Sequence, residues 1–285
     1  MAANINSQAV LCEIHISLWT GRKLDKRVSE EVDAVNNTKT RAGAYHKRLM
    51  ADVGSLTDIE RVAGELRAYH YRMTLPWSDN GPRLLPASSL FEYTEHMKDL
   101  KAKFYAAVQQ FVAEYDMQIS AMAFKLGSLF NRDEYPTKDQ VERKFGADYT
   151  LSPVPDAGDF RVDVGNEAMA ELREEYSKAC EARLAEATSS LYEKLYDTLL
   201  HAVERLGESP DGKPNIFRDS LISNMQDLIV DLKKLNMAGD ERLEEMRQEL
   251  ASITTGLSPD ELRKNKQVRA EVRANMQEIL NKFGG

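Results

Sequence analysis

Two tracts, roughly residues 90–130 and 167–206, place apolar residues at alternating steps of three and four, and whatever this chain folds into must bury two long helical stripes. The first reads Met97, Leu100, Phe104, Val108, Phe111, Tyr115, Ile119, Met122, Leu126, Leu129. The second reads Met169, Leu172, Tyr176, Cys180, Leu184, Ala187, Leu191, Leu195, Leu199, Val203, Leu206. Such spacing gathers the apolar side chains on one face of a helix. At 1.5 Å per residue each helix would run about 60 Å. Equal length and a connector of a few dozen residues predict that the two fold back on each other. The expected fold is mainly α and elongated, a long antiparallel coiled-coil-like hairpin with a small β element and extra C-terminal helices. Three consecutive regions follow: a mildly basic N-terminal α/β region over 1–88, the hairpin over 89–207 with a β-hairpin tip at 131–166, and C-terminal helices over 208–285.

Local signals fill in the elements. Leu11 to Leu18 alternates apolar residues with Glu13, His15 and Ser17, the mark of a half-buried strand. Arg22 to Val35 reads as a helix, and so does Ala42 to Asp52. Thr57-Asp58-Ile59-Glu60 and Ser89-Leu90-Phe91-Glu92 match the capping box, in which a hydroxyl accepts the third residue's amide. Between them Pro76, Pro82, Pro86 and Asn80-Gly81 forbid helix, so Trp77 and Leu84-Leu85 must be hidden by a loop packed on the body. Thr137 restarts a helix that Gly146 stops. Tyr149 to Leu151 and Phe160 to Val164, around Pro153, Pro155 and Gly158, predict the hairpin tip. Ser258-Pro259-Asp260-Glu261 combines a Ser cap, Pro at the first helical position and Glu at the third, and opens a last helix running to about Lys282.

Charge is unevenly spread. The 285 residues carry a formal net charge of -8, which disfavours coating a duplex over the whole surface. Residues 20–85 hold 12 Lys/Arg against 9 Asp/Glu, while the remainder holds 26 against 37. Cys12 and Cys180 are too few for a disulfide framework and read as buried small hydrophobes. No apolar run reaches membrane-spanning length, and residues 1–8 lack the basic and apolar regions of a signal peptide, so a cytoplasmic protein is expected.

Catalytic motifs are missing from the sequence. His15, His46, His70, His96 and His201 form no HExxH or HxE…PCxxC pattern, and there is no phosphate-binding GxxxxGK[ST], no GxGxxG after a strand and no GxSxG. The expectation is a non-enzymatic chain without cofactor or metal. Its most suggestive constellation is basic residues interleaved with aromatics: Arg22, Lys23, Lys26, Arg27, Arg41, Tyr45, His46, Lys47, Arg48, Arg67, Tyr69, His70, Tyr71, Arg72 and Trp77. Cations neutralise phosphates and aromatic rings stack on unpaired bases, so this set points to single-stranded nucleic acid. Amphipathic packing, with Tyr and His half-buried and Lys and Arg reaching to water, accounts for the same residues. A second surface is the hairpin tip, where Tyr149, Phe160 and Arg161 have the composition of a protein-binding hot spot.

Leu18-Trp19-Thr20-Gly21-Arg22-Lys23-Leu24-Asp25-Lys26, Thr74-Leu75-Pro76-Trp77 and Pro155-Asp156-Ala157-Gly158-Asp159-Phe160-Arg161-Val162 resemble strings of a phage and conjugative-plasmid family catalogued as a domain of unknown function. The resemblance covers most of residues 9–206. It implies a mobile-element origin, a bacterial host cytoplasm and a gene neighbourhood with a MoxR-type AAA ATPase and a CobT-like von Willebrand A protein. It carries no active-site residue. The expected function is therefore an accessory interaction protein of a phage or mobile element, with an adaptor of that ATPase as the role the resemblance implies. Single-strand binding in phage replication or recombination is the alternative, and an acidic inhibitor of a host defence nuclease is a weaker one. Apolar stripes this long can also pair between chains, so a homo-oligomer stays open.

Overall fold

Both long stripes become helices, and within its own unit each is buried by neighbours that equal length does not single out. The computed structural model describes residues 5–79, 81–155 and 166–283, and it is mainly helical with a small sheet. In chain order the elements are α1 (Ile5–Gln8), β1 (Ala9–Ser17), β2 (Arg22–Leu24), α2 (Lys26–Val35), β3 (His46–Arg48) and α3 (Gly54–Met73). Then come β4 (Leu75–Pro76), β5 (Arg83–Pro86), α4 (Leu90–Leu126), α5 (Lys138–Glu142) and β6 (Gly146–Pro153). The chain ends with α6 (Asn166–Leu206), α7 (Ser220–Leu235), α8 (Glu241–Thr254), α9 (Pro259–Lys264) and α10 (Lys266–Phe283).

These elements form two compact units, each built from separated stretches of chain rather than from the three consecutive regions expected. Ile14–His70 and Thr94–Tyr149 make one, here the ribbon unit; Met1–Glu13, Tyr71–Tyr93 and Thr150–Gly285 make the other, the bundle unit.

In the ribbon unit α4 is packed antiparallel to α3. The Ser55 hydroxyl donates to Glu114 Oε2 at 3.0 Å near one end, and the Tyr69 and His96 rings lie 4.1 Å apart near the other. Ile59, Val62, Leu66 and Tyr69 on α3 and Met97, Leu100, Phe104, Val108, Phe111, Tyr115, Ile119 and Met122 on α4 are all buried. Trp19 closes the seam, its ring 6.1 Å from Phe111 and 5.9 Å from Tyr115. The stripe of α4 is thus satisfied by α3, a shorter helix just before it in the chain. Several local expectations change with it. Arg22 to Val35 is not one helix: Arg22–Leu24 is a strand, and Asp25 caps α2 by accepting the Val28 amide. The expected helix over 42–52 is strand β3 followed by turns, because Arg22, Lys23 and Leu24 pair with Arg48, Lys47 and His46. Gly21 makes the bend before the ribbon at φ +59°, a backbone region that other residues enter at a cost. The Thr57 motif is not a cap, since α3 already starts at Gly54 and the Thr57 hydroxyl donates back to Val53 O. Ser89 is buried at the end of a short 3-10 turn that runs directly into α4. Thr137 and Gln140 do form the reciprocal capping box of α5.

In the bundle unit the second stripe is buried by α10, α7 and β4. Ala187, Leu191, Leu195, Leu199, Ala202, Val203 and Leu206 join Leu221, Met225, Leu228 and Leu232 of α7 and Val272, Met276 and Ile279 of α10 in one core. Burial of that half of α6 needs no long antiparallel partner. The Pro-rich stretch at 75–88 contains a small hairpin, β4 with β5, and β5 pairs with β1 from Ala9↔Pro86 to Cys12↔Arg83. The sheet order is β4-β5-β1-β6. As the sequence requires, Trp77, Leu84 and Leu85 are buried. Cys12 is fully buried with its thiol donating to the Tyr93 hydroxyl at 3.3 Å, and Cys180 is half-buried. Ser258 caps α9 as read, but the last helix breaks at Asn265 into α9 and α10. Arg269, just after that break, is buried and donates to the carbonyls of Leu206 (2.8 Å), Arg205 (2.9 Å), Gly207 (3.2 Å) and Asn215 (2.7 Å). These include carbonyls that the end of α6 leaves without an intrahelical donor.

Candidate nucleic-acid interface

Antiparallel pairing of β2 with β3 sets Arg22 directly opposite Arg48, which puts two guanidinium-bearing residues on the same face of a two-stranded ribbon. Like charges at such positions repel and weaken a ribbon, so packing alone does not explain them. Residues 20–48 hold 8 Lys/Arg against 4 Asp/Glu, a surplus the larger window had diluted. Two of those carboxylates are already engaged: Glu31 pairs with Arg27 at 2.7 Å, and Asp25 with Lys47 at 3.1 Å. Arg22, Lys23, Lys26, Lys39, Arg41 and Arg48 are exposed, and among the described residues none of the six is within ion-pair distance of a carboxylate. Lys39 was missed from the sequence although it stands two residues from Arg41; the loop from 36 to 45 that carries it is exposed throughout.

The remaining predicted residues are in other roles. Lys47 is a buried cation, 2.7 Å from Glu134 and 2.8 Å from Leu129 O as well as near Asp25. Burial would push its ammonium down, but hydrogen bonds and attraction from Glu134 and Asp25 outweigh that and hold it above the usual lysine range. The Val28 amide, and then Lys47, hold the Asp25 carboxyl below its ordinary range. This triad ties β3 to the start of α2 and to the turn at 132–134. Tyr69 and His70 are buried in the ribbon unit, so neither can stack on a base. Arg67 is half-buried on α3, while Tyr45 just before β3 and His46 within it are exposed.

Tyr71, Arg72 and Trp77 belong to the bundle unit. Tyr71 lies under the Arg83 guanidinium at 4.9 Å, Arg72 is 3.7 Å from Asp231, and Trp77 is a core residue covered by Arg183 at 5.5 Å. Of the expected hairpin tip only the first strand falls within the described residues. Tyr149 sits half-buried in β6, which neighbours β1 in the sheet, with Lys101 5.7 Å above its ring. Phe160 and Arg161 lie outside the described residues.

Chemically, the ribbon with its flanking loop and α2 can hold a chain of negative charge. Tyr45 and His46 are the predicted rings exposed on it, fewer than its cations, which moves the emphasis from base stacking to phosphate contacts. Among the described residues no group of three His, Cys, Asp or Glu converges as a metal site, and no helix is long and apolar enough to cross a membrane. No family model, curated protein or solved structure matches the chain.

Proposed function

We propose that this chain is a binding protein whose β2–α2–β3 element contacts the sugar-phosphate backbone of nucleic acid. The observation that carries the reading is the face-to-face Arg22–Arg48 pair among six exposed, unpaired cations. Phosphate neutralisation releases counterions, so binding to a labelled single strand should weaken with salt at a log–log slope of about -4 for six contacts. Replacing Arg22 and Arg48 together with Gln should flatten that slope by about one unit and weaken all sequences alike. Fluorescence anisotropy over a salt series is the measurement; no binding at low ionic strength ends the proposal.

A second reading keeps the accessory role. The first half of α6 leaves Leu172 exposed and Tyr176, Cys180 and Leu184 half-buried, whereas the stripe from Ala187 onward is buried. An incompletely covered apolar stripe suits a protein partner, and the resemblance to mobile-element proteins suggests a MoxR-type AAA ATPase. Co-purification with that ATPase, abolished by changing Leu172 and Leu184 to Glu, is the expected result. Failure to co-purify would remove the ATPase from consideration.

A further inference from the structure

The loop from Asn215 to Asp219, between α6 and α7, is clamped from behind and unused in front. Behind it, Arg263 donates to Phe217 O at 3.3 Å and to the Asp219 carboxylate, while Arg269 donates to Asn215 O at 2.7 Å. Both guanidiniums also stack on the Phe217 ring, at 5.1 and 5.3 Å. The Asn215 amide and side chain bond back to Gly207 O and Glu204 O. In front, Ile216 is 88% exposed and Arg218 is exposed, and among the described residues the Arg218 guanidinium has no hydrogen-bond or ion-pair partner.

These two side chains border a cleft of about 620 Å³ between α6 and α7. Its α6 wall is Asp197, Thr198, His201 and Arg205, and its floor is Phe217 and Leu221, both buried. The Arg205 guanidinium is likewise unpartnered among the described residues. Residues 197, 201 and 205 are successive turns of one helix face, so the wall runs from a carboxylate at one end to a guanidinium about 12 Å along. A volume of this size is ordinary for a small-molecule site, and apolar floors with a few converging polar groups are the usual design. Holding a wall rigid by residues that never face the ligand is how a binding geometry is kept.

We infer that this cleft binds a small organic anion, a carboxylate or phosphate carried on an apolar body. The anionic group pairs with Arg205 and Arg218, where planar guanidiniums favour two-point contacts, and the body lies on Phe217 and Leu221 beneath Ile216. The inference is independent of the nucleic-acid reading, because every residue it uses is in the bundle unit.

Anilinonaphthalene sulfonate, an aromatic body bearing one anionic group, is the probe, titrated into the full chain and followed by fluorescence. Phenylnaphthylamine, the same rings without the charge, is the control. One saturable site is expected for the sulfonate. Its affinity should fall about tenfold or more in the Arg205→Gln, Arg218→Gln double variant, with weak binding of the neutral control unchanged. The variant should melt with the wild type, since neither guanidinium holds anything in the fold. Phenyl phosphate or benzoate should displace the dye more strongly than inorganic phosphate does. Equal sulfonate binding by wild type and double variant, or a neutral control that binds as tightly as the sulfonate, overturns the inference. Displacement by inorganic phosphate as strong as that by phenyl phosphate removes the apolar half of the site and overturns it equally.

Discussion

Among the described residues each unit buries one Lys or Arg, and the two cations are satisfied in opposite ways. In the ribbon unit Lys47 faces two carboxylates, Asp25 and Glu134, and one carbonyl. In the bundle unit Arg269 faces four carbonyls, and no carboxylate is within ion-pair distance among the described residues. Burial holds the Arg269 guanidinium below its ordinary range, with only partial compensation from Glu208; the Lys47 ammonium moves the other way. The lysine is a compact point charge balanced by countercharge, whereas the five donors of the arginine are spread over the backbone. Removing the first leaves uncompensated charge that other substitutions can neutralise. Removing the second orphans backbone acceptors, and no side-chain change can delete a carbonyl.

The comparison is tested most severely at Arg269. Arg269→Met should lower stability by about 3–5 kcal/mol, because several charge-assisted hydrogen bonds at the end of α6 go together. Denaturant unfolding monitored in the bundle unit measures it; a loss under about 1 kcal/mol would mean that water serves those carbonyls just as well.

Lys47→Met should cost about 3 kcal/mol, the lower end for a broken buried pair, since Glu134 keeps 17% of its side-chain surface in water. The distinguishing result is rescue: adding Asp25→Asn and Glu134→Gln should recover most of that loss, as Asn still caps α2. Should the triple variant be no more stable than Lys47→Met, the carboxylates are not what Lys47 balances. Acid probes the same contrast. The folded Asp25 carboxyl titrates below its unfolded value of about 3.9, so its contribution is present above that pH and is lost as pH falls through the lower folded value. Amides of β2 and β3 should lose exchange protection there. The Arg269 contacts to carbonyls have no group that titrates in that range, so amides near Leu206 should follow only when the unit itself unfolds.

Caps give the smallest expected effects. Thr137→Ala in the ribbon unit and Ser258→Ala in the bundle unit should each cost about 1 kcal/mol. Thr57→Ala, at a residue with the same motif but inside α3, should cost less than about 0.5 kcal/mol or stabilise slightly. A full capping loss at Thr57 would contradict a start at Gly54.

Sequence periodicity located α4 and α6 closely, and the buried Trp77, Leu84 and Leu85 followed from apolar residues too large to leave in water. Motifs were less dependable: Ser258 and Thr137 do cap helices and Thr57 does not, because a capping box is defined by where a helix starts, and only packing says where that is. In the candidate interface Arg22, Lys23, Lys26, Arg41 and Arg48 were legible as cations in a basic stretch. Their number of free charges was not, since that depends on which carboxylates Lys47 and Arg27 take.

The sequence alone determined that two long helices exist, where strand β1 and the Pro-rich break lie, and which third of the chain is basic, because these depend on neighbours a few residues apart. Only the tertiary structure decided that α3 packs on α4, that Lys47 and Arg269 go inside, and that Arg22 meets Arg48. Those outcomes join residues 22 to 87 positions apart in the chain, where a pattern of apolar steps says that a face must be covered but not by what.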